Sequence, residues 1–330
     1  SLYIYFFMIS VEDLKQNINT LSSNNEPFAF ILDYEMKRAR LIESPFEDKD
    51  FLFQTIGYSN FNAKELEKER DFYLKPYPIS LETYKEKFNI IQNALKRGDS
   101  FLANLTIRTE IETNLSMIEV FLRSKSKYKI YLKDVFTCFS PESFIRIIDN
   151  RIMTYPMKGT ISADIPFADK IILEDYKEKC EHYTIVDLMR NDLNSVSNNV
   201  RVVRNRYLDK IETNKGSIYQ VSSEIEGELE KDWRNRLGDI IINLLPAGSI
   251  SGAPKPSTLK AIEKAEGIER GFYTGVFGYF DGKDFDSCVM IRFIEKDNNK
   301  LYFRSGGGIT INSDAKDEYE EVLKKIYFPF

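Results

Sequence analysis

The sequence has few of the residues on which several common active sites depend. Its 330 residues include three cysteines, one histidine and one tryptophan. The cysteines show no C-x-x-C spacing, which argues against a zinc site and a disulfide framework. A Ser-His-Asp triad would have to use His182, and the G-x-S-x-G pattern of many such enzymes is absent. Metal-thiolate and serine-hydrolase chemistry are therefore not expected, and reduced thiols fit a cytoplasmic protein.

Long apolar runs and blocks of basic charge are also lacking. The apolar opening over residues 2–9 is too short to span a bilayer and has no basic leader, so it predicts a first strand. The net charge is −5 and the lysines and arginines are dispersed, which argues against nucleic-acid binding. No cysteine lies in a motif typical of an amidotransferase nucleophile. We expect neither a nucleic-acid nor a membrane partner, and no glutaminase activity within this chain.

Aromatic residues, by contrast, are abundant. The chain has 19 tyrosines and 24 phenylalanines, and 42% of its residues are hydrophobic, which favours a large core rich in strands. No internal repeat or low-complexity linker interrupts the pattern. We interpret residues 1–330 as a single domain in which residues 1–75 form a variable N-terminal portion.

Hydrophobic periodicity and turn residues predict the order of helices and strands. Helices are predicted over residues 80–97, 116–126, 167–193, 233–244, 257–266 and 313–327. Strands are predicted over 100–111, several more over 128–160 with a hairpin turn at Asp149-Asn150, and a three-strand meander over 272–311. A loop is predicted over 246–256. Strands and helices interleave without a regular βαβ rhythm, which predicts an α+β fold with large antiparallel sheets.

Lys158 lies in the segment 155–160, between Pro156 and Gly159. Proline restricts the backbone and glycine frees it, so we predict that this lysine sits where a strand ends in a tight turn. A lysine in such a place is commonly a solvated strand end. The alternative, a functional amine, depends on the segments around it.

Two predicted helices carry acidic residues beside their apolar faces. Glu181 shares a face with Ile185 and Leu188, so its carboxylate is either at the helix edge in water or a metal ligand. On the last helix, Glu321 and Lys325 have the i, i+4 spacing of a surface ion pair. Two glutamates from separate helices would also suit Mg²⁺, because this ion prefers oxygen ligands.

Two glycine-rich stretches, at 248–255 and 305–308, could be phosphate loops. The first fails the P-loop spacing, and the second lacks the dinucleotide fingerprint. They are either ordinary tight turns or main chain brought close to a small anion, with N–H groups as donors.

Taken together, seven segments resemble those of the chorismate-utilising family, which includes anthranilate, aminodeoxychorismate, isochorismate and salicylate synthases. The segments are Ser140-Pro-Glu142, 156–160, Glu181 with 185–192, 245–255, 271–275, 286–292 and 306–325. The resemblance covers residues 80–327, and the order and spacing of the segments make it specific. It implies an anthranilate-synthase-like α+β fold, in which large antiparallel sheets form a sandwich flanked by helices.

The resemblance implies a reaction as well, because aminodeoxychorismate synthases carry lysine at position 158 and anthranilate synthases carry alanine. Lys158 would add to the chorismate ring as the hydroxyl leaves, and ammonia would resolve the covalent intermediate to 4-amino-4-deoxychorismate. Glu142 matches the general acid that protonates the departing hydroxyl. Since the ordinary pKa of lysine is about 10.4, desolvation or a nearby cation would have to lower the pKa of Lys158.

A Mg²⁺ site, a substrate site and a partner are implied by the same resemblance. The matched metal ligands are Glu181 and Glu321, with Glu318 assisting. The residues implied to bind the substrate are Thr160, Ser249, Gly252, Tyr273, Arg292, Gly307, Gly308 and Lys325. Ammonia would come from a separate glutamine amidotransferase subunit.

Two single positions are among the departures from the family pattern. Gln220 stands where many relatives have histidine, and Leu102 stands where isochorismate synthases carry a water-activating lysine and many aminotransferring members carry glutamine. The expected activity is that of aminodeoxychorismate synthase component I, which serves folate biosynthesis through para-aminobenzoate. The alternatives are anthranilate synthase component I, isochorismate or salicylate synthase, and an inactive relative retained as a binding subunit.

Overall fold

The computed structural model describes residues 8–62, 70–213 and 216–330 of the chain. The strands are β1 (Phe28–Leu32), β2 (Ala39–Ile42), β3 (Phe51–Gln54), β4 (Leu74–Tyr77), β5 (Leu102–Thr113), β6 (Tyr128–Leu132), β7 (Phe136–Ser140), β8 (Ser143–Ile148), β9 (Arg151–Thr154), β10 (Met157–Ser162), β11 (Asn198–Thr213), β12 (Gly216–Glu228), β13 (Gly252–Ala253), β14 (Val276–Phe280), β15 (Phe285–Val289), β16 (Phe293–Asp297) and β17 (Lys300–Ile309). The helices are α1 (Val11–Ser23), α2 (Leu81–Arg97), α3 (Met117–Arg123), α4 (Ala168–Glu174), α5 (Tyr176–Asn194), α6 (Leu237–Asn243), α7 (Gly248–Ser251), α8 (Lys255–Glu266) and α9 (Ala315–Lys324). A 3₁₀ turn over Trp233–Arg236 precedes α6.

The strands of the described residues form two antiparallel sheets. The larger sheet has the order β10-β12-β9-β8-β15-β14-β1-β2, and β11 also pairs with β12. The smaller sheet has the order β13-β5-β17-β16-β7-β6-β3, and β4 also pairs with β5. Each sheet joins strands from distant parts of the chain, since β1 pairs with β14 and β5 pairs with β17.

Strand β1 shows why the two sheets stack. Its residues alternate between faces with the period of two that a strand requires. Phe28, Phe30 and Leu32 pack in a cluster with side chains from α1, α5 and α6. Ala29 and Ile31 point the other way, into the interior between the two sheets. Both faces are therefore covered and every residue of β1 is buried, as in the helix-flanked sandwich predicted from the sequence.

Helices α2, α8 and α9 cover the smaller sheet over β5 and β17. Helix α2 occupies nearly the range that the sequence predicts, 80–97. Its N-cap is Ser80, whose side chain accepts the N–H of Thr83, and Gly98 ends it with a left-handed φ of 80°. The hairpin turn predicted at Asp149-Asn150 is also confirmed: it joins β8 and β9, and both residues have positive φ.

Three predictions are wrong in detail. The long helix predicted over 167–193 is two helices, because Asp175 ends α4 and its side chain caps α5 by accepting the N–H of Glu178 at 2.8 Å. The three-strand meander predicted over 272–311 is four strands, β14 to β17, divided between the two sheets. The loop predicted over 246–256 contains the single turn of α7 and the short strand β13.

The apolar segment predicted as a first strand, residues 2–9, falls largely outside the described residues. Its last residue, Ile9, is described and forms an isolated antiparallel bridge with Ala39. Across the three described ranges, no helix is long and apolar enough to cross a membrane.

A buried ion pair between Arg270 and Glu266 connects strand β5 with the turn of α7. Arg270 and Glu266 have side chains only 1% and 3% exposed, and the guanidinium binds the carboxylate through two hydrogen bonds of 2.9 and 2.7 Å. Arg270 also donates to the main-chain carbonyls of Ile250 at 2.8 Å and Asn104 at 2.7 Å. One guanidinium thus ties β5 to the turn of α7.

Replacing Arg270 with leucine should lower the free energy of unfolding by about 3–5 kcal/mol, because it leaves the Glu266 carboxylate buried without a cation. Urea unfolding followed by fluorescence measures the change. The matched control is Lys37→Ala, which removes an exposed ion pair to Glu269 of 2.7 Å and should barely move the midpoint. Equal midpoints for the two variants would contradict the role given to Arg270.

Candidate active site

A cavity of about 90 Å³ lies where α5, β10 and the turn of α7 face β5 and β17. Its walls are formed by Leu102, Asn104, Glu142, Met157, Lys158, Glu181, Thr184, Ile185, Gly248, Ser249, Ser251, Gly252, Gly308 and Thr310. Six of these are residues to which the sequence analysis assigned a catalytic, substrate-binding or metal-binding role: Glu142, Lys158, Glu181, Ser249, Gly252 and Gly308. Segments far apart in the sequence therefore meet around one cavity.

Lys158 lies near the start of β10, so the prediction that it ends a strand is wrong. The pairing of β10 with β12 shifts register between Met157 and Thr160, which places Lys158 in a β-bulge. Gly159 takes a φ of 91°, a conformation that favours glycine. A Cβ at Gly159 would also lie 2.8 Å from the Glu178 carboxylate. Bulges re-aim side chains, and here the lysine lines the cavity.

The charges around Lys158 are mostly negative. Its Nζ lies 2.9 Å from Oε2 of Glu181, which projects from α5. Burial alone would lower the pKa of Lys158, but the carboxylates of Glu181, Glu321 and Glu178 outweigh it and raise that pKa. The surroundings thus hold the amine as an ammonium, whereas a nucleophile needs its neutral form.

Glu142 lies half-buried on the short turn between β7 and β8. The hydroxyl of Ser249 donates to its Oε1 at 2.6 Å. Burial raises the pKa of Glu142, opposed by that hydrogen bond and by the positive charges of Arg292 and Lys325. A carboxyl group with a raised pKa is suited to act as a general acid near neutral pH.

The two cationic residues predicted to bind substrate lie beside the cavity lining. Arg292 adopts a left-handed φ of 53° and acts on Glu142 through its charge. Lys325 caps the C-terminus of α9, donates to the carbonyl of Gly306 at 2.8 Å and pairs with Glu321 at 2.8 Å. The i, i+4 ion pair predicted between Glu321 and Lys325 is therefore formed. The positive charge of Lys325 also acts on the Glu142 carboxyl group.

Two of the three carboxylates predicted to bind metal, those of Glu318 and Glu321, lie near Gly307. A Cβ there would lie 3.6 Å from Oε2 of Glu318 and 3.7 Å from Oε1 of Glu321. Burial raises the pKa of Glu318, and the carboxylates of Glu321 and Glu181 raise it further. Within the described residues, Oε2 of Glu178 is buried without a hydrogen-bond partner. Such mutually repelling oxygens fit a hard divalent cation.

These carboxylates suit a metal ion that takes few ligands from the protein. Across the described ranges, no three His, Cys, Asp or Glu side chains are gathered closely enough to coordinate one ion as they stand. Mg²⁺ commonly binds one or two protein carboxylates and completes its shell with waters and substrate oxygens. The donor set therefore suits Mg²⁺ better than an ion that needs a closed protein cage.

Seven predicted residues do not line the cavity: Arg292, Gly307, Glu318, Glu321 and Lys325, described above, and also Thr160 and Tyr273. Thr160 is exposed on β10, opposite Gln220 of β12. Tyr273 is 3% exposed and packs in the core, with its ring 5.9 Å from that of Phe293. Of the two single positions that depart from the family pattern, Gln220 thus faces a neighbouring strand, whereas Leu102 lines the cavity.

The structure adds residues that the sequence did not single out. Asn104 lines the cavity, and its side-chain oxygen has no partner among the described residues. It lies two residues after Leu102 on β5, so the two share a face of the strand. Glu178 lies one turn before Glu181 on α5 and approaches Gly159 of the bulge. The spacing of Asn104 from Leu102 and of Glu178 from Glu181 can be read from the sequence. Only the strand pairing in the structure shows that these residues lie at the site.

Comparison with known proteins agrees with this arrangement. Residues 30–330 match the sequence profile of the chorismate binding enzyme family. An uncharacterised PabA-like protein of Pasteurella multocida is 47% identical over 322 residues, which cover 97% of this chain and 99% of that protein. Aminodeoxychorismate synthase component 1 of Bacillus subtilis is 32% identical over 266 residues, which cover 76% of this chain and 55% of that protein.

Among solved structures, anthranilate synthase component I of Streptococcus pneumoniae is similar with a TM-score of 0.65 and 26% identity, covering 77% of this chain and 58% of that one. The anthranilate-synthase-like sandwich expected from the resemblance is therefore confirmed. The family match spans most of the chain and includes every segment that forms the cavity. The chain belongs to the family of chorismate binding enzymes.

Proposed function

We propose that this chain is the chorismate-converting component of an aminodeoxychorismate synthase. The observation that carries the proposal is Lys158, a primary amine at the wall of a cavity that also presents Glu142 and Glu181. The match to the chorismate binding enzyme family supports the substrate, and the lysine at position 158 is what favours this reaction among those of the family.

The proposed chemistry has two balanced displacements. The ammonium of Lys158 first loses a proton to solvent, so only the neutral fraction of the lysine reacts. That amine forms a C–N bond to the chorismate ring while the C–O bond of the ring hydroxyl breaks, and Glu142 gives its proton so that water leaves. Ammonia then forms a second C–N bond as the bond to Lys158 breaks, and the Glu142 carboxylate takes a proton from the ammonia nitrogen, which restores the acid. The net change is chorismate plus ammonia to 4-amino-4-deoxychorismate plus water.

The remaining predicted residues bind and orient the substrate in this proposal. Mg²⁺ held by Glu181 and Glu321, with Glu318 nearby, would neutralise a substrate carboxylate when bound. Arg292 and Lys325 supply fixed positive charge for the other carboxylate, and a guanidinium suits its planar geometry. Gly307 and Gly308 bring main chain close to the cavity without side chains in the way.

Ammonia is proposed to come from a separate glutamine amidotransferase subunit, since the chain carries no motif for glutamine hydrolysis. The apolar side chain of Leu102 lines the cavity and offers no group that could activate a water molecule. The formation of isochorismate by attack of an activated water is therefore disfavoured.

Product analysis tests the proposed reaction. The protein is incubated with chorismate, Mg²⁺ and ammonium salt, and the products are separated by chromatography and identified by mass. The expected product is 4-amino-4-deoxychorismate. Anthranilate, isochorismate or salicylate as the main product would replace the proposal with another activity of the family, and complete absence of turnover would favour an inactive binding subunit.

Glu181→Gln should raise the Mg²⁺ concentration needed for half-maximal activity by about 10- to 100-fold, since an amide oxygen is a weaker ligand for this ion than a carboxylate. Mg²⁺ titration of the initial rate measures it, and the rise in melting temperature on adding Mg²⁺ should shrink in parallel. Asp187→Asn is the matched control, because Asp187 lies on the same helix with its side chain 66% exposed. An unaltered titration would remove Glu181 from the metal site.

A further inference from the structure

His182 lies in the interior behind the reactive lysine. It follows Glu181 on α5, is fully buried, and places its Nε2 2.7 Å from the hydroxyl oxygen of Ser223. Its other nitrogen, Nδ1, is buried with no partner of good hydrogen-bond geometry among the described residues. The proposed reaction gives this ring no role, although one neighbour in the chain is the carboxylate that pairs with Lys158.

Ser223 connects the ring to the strand that carries Lys158. Its hydroxyl oxygen accepts the N–H of Arg206 at 2.9 Å, and its own N–H donates to the carbonyl of Pro156 at 3.0 Å. Pro156 leads directly into the bulge, where the next residue, Met157, pairs with Ser222. Ser223 is thus hydrogen-bonded to the backbone on both sides of β12. His182 connects α5 to Ser223 through the contact between its Nε2 and the Ser223 hydroxyl.

The surroundings of the His182 ring favour its neutral form. Burial lowers the pKa of His182 to about 4, helped by the charge of Arg206 and opposed by the main-chain carbonyl of Lys158. A neutral imidazole has one donor and one acceptor nitrogen. With Nε2 accepting the Ser223 hydroxyl proton, the N–H is on Nδ1, and the carbonyl of Lys158 is the polar group acting on that ring. The arrangement needs no change of protonation during the reaction.

We propose that His182 is a positioning residue for Lys158. Held by Ser223, the ring sets the spacing between α5, which carries Glu181, and the bulge of β10, which carries Lys158. The two side chains that it spaces form the 2.9 Å ion pair at the cavity wall. The effect of this spacing on turnover depends on the proposed function, whereas its effect on the ion pair does not.

Two variants break the contact in different ways. His182→Phe keeps a ring but removes both nitrogens, and Ser223→Ala removes the hydroxyl while changing little volume. Met189→Leu is the matched control: it is buried on the same face of α5, two turns further on, and conserves volume. Each variant is assayed with chorismate, ammonia and Mg²⁺, and separately for the acetylation rate of Lys158 relative to the exposed Lys177 by peptide mass spectrometry.

We expect kcat to fall by about 10- to 100-fold in His182→Phe and Ser223→Ala, with KM for chorismate within about twofold, because a misplaced nucleophile slows reaction more than binding. Relative acetylation of Lys158 should rise, since the amine is freed from Glu181. The double variant should lose little more than either single variant, because both break one contact. Met189→Leu should match the unaltered protein in both assays.

The two readouts separate two kinds of failure. Faster acetylation of Lys158 without any change of kcat would retain the positioning role and remove Lys158 from the reaction. Unchanged acetylation in both variants, or an equal change in Met189→Leu, would overturn the positioning role itself. If His182→Phe does not fold, Ser223→Ala alone decides by the same criteria.

Discussion

Lys158→Ala is expected to abolish the covalent adduct between protein and chorismate and to lower kcat by at least about a thousandfold, the scale of losing a group that acts as nucleophile. The reason is that, among the residues that the structure describes, no other amine lines the cavity: the remaining lining residues are acidic, amide, hydroxyl or apolar. The measurement is the intact protein mass after acid quenching of a reaction with chorismate and Mg²⁺ but without ammonia, which leaves the intermediate unresolved.

Two controls separate nucleophilic from electrostatic roles of this lysine. Lys158→Arg keeps a positive charge opposite Glu181 but supplies no neutral amine at accessible pH, so it should also fail to form the adduct. Lys177→Ala removes a second lysine whose Nζ lies 3.9 Å from the same carboxylate and whose side chain is 60% exposed. It should form the adduct normally. An adduct of unchanged yield in Lys158→Ala would end the nucleophile assignment.

Glu142→Gln is expected to lower kcat by about 10²- to 10⁴-fold, because the departing hydroxyl loses its proton donor. The amide keeps the shape of the side chain and can still accept the 2.6 Å hydrogen bond from Ser249. The loss should therefore appear in kcat with little change in melting temperature. A variant with nearly full activity would assign the proton transfer to another group.

The pH dependence sharpens this test because the pKa values of both groups are raised. Below the pKa of Glu142 the acid is protonated, and the rate should rise about tenfold per pH unit as the neutral fraction of Lys158 grows. Above that pKa the loss of protonated Glu142 cancels the gain, so the rate levels off. In Glu142→Gln the residual rate should keep rising through this region, since only the lysine titrates there.

Ser249→Ala gives an independent check on the same carboxyl group. The Ser249 hydroxyl stabilises the ionised form of Glu142, so its removal should raise the pKa of Glu142 further. The pH at which the rate of this variant levels off should therefore move upward. A downward shift would mean that the hydroxyl does not donate to the carboxylate in solution.

The elements predicted correctly from the sequence are those whose signals are local. The serine cap and glycine stop of α2 and the two turn residues between β8 and β9 act within a few residues, so their sequence is sufficient. The break at Asp175 is also local, but an aspartate between two apolar helical stretches is compatible with a continuous helix until its side chain is seen to cap. The division of β14 to β17 between two sheets depends on pairing partners elsewhere in the chain.

The same distinction applies to the site. Family motifs brought Glu142, Lys158 and Glu181 to attention together, and these three do line one cavity. The bulge that aims Lys158 could not be predicted, because it arises from the register of β10 against β12, more than fifty residues away in the sequence. The surroundings of Glu178 and Asn104 depend on the same long-range pairing.

Strand β1 pairs with β14, and β5 pairs with β17, so many contacts join residues far apart in the sequence and the contact order is high. The early strands β1 and β5 cannot complete their hydrogen bonds until β14 and β17 are present. Such chains fold slowly, since long loops must close before the contacts that stabilise them can form. During synthesis on the ribosome, the first half of the chain would wait with unpaired strand edges until β14 and β17 emerge. Newly made protein should therefore depend on chaperones more than its finished stability suggests.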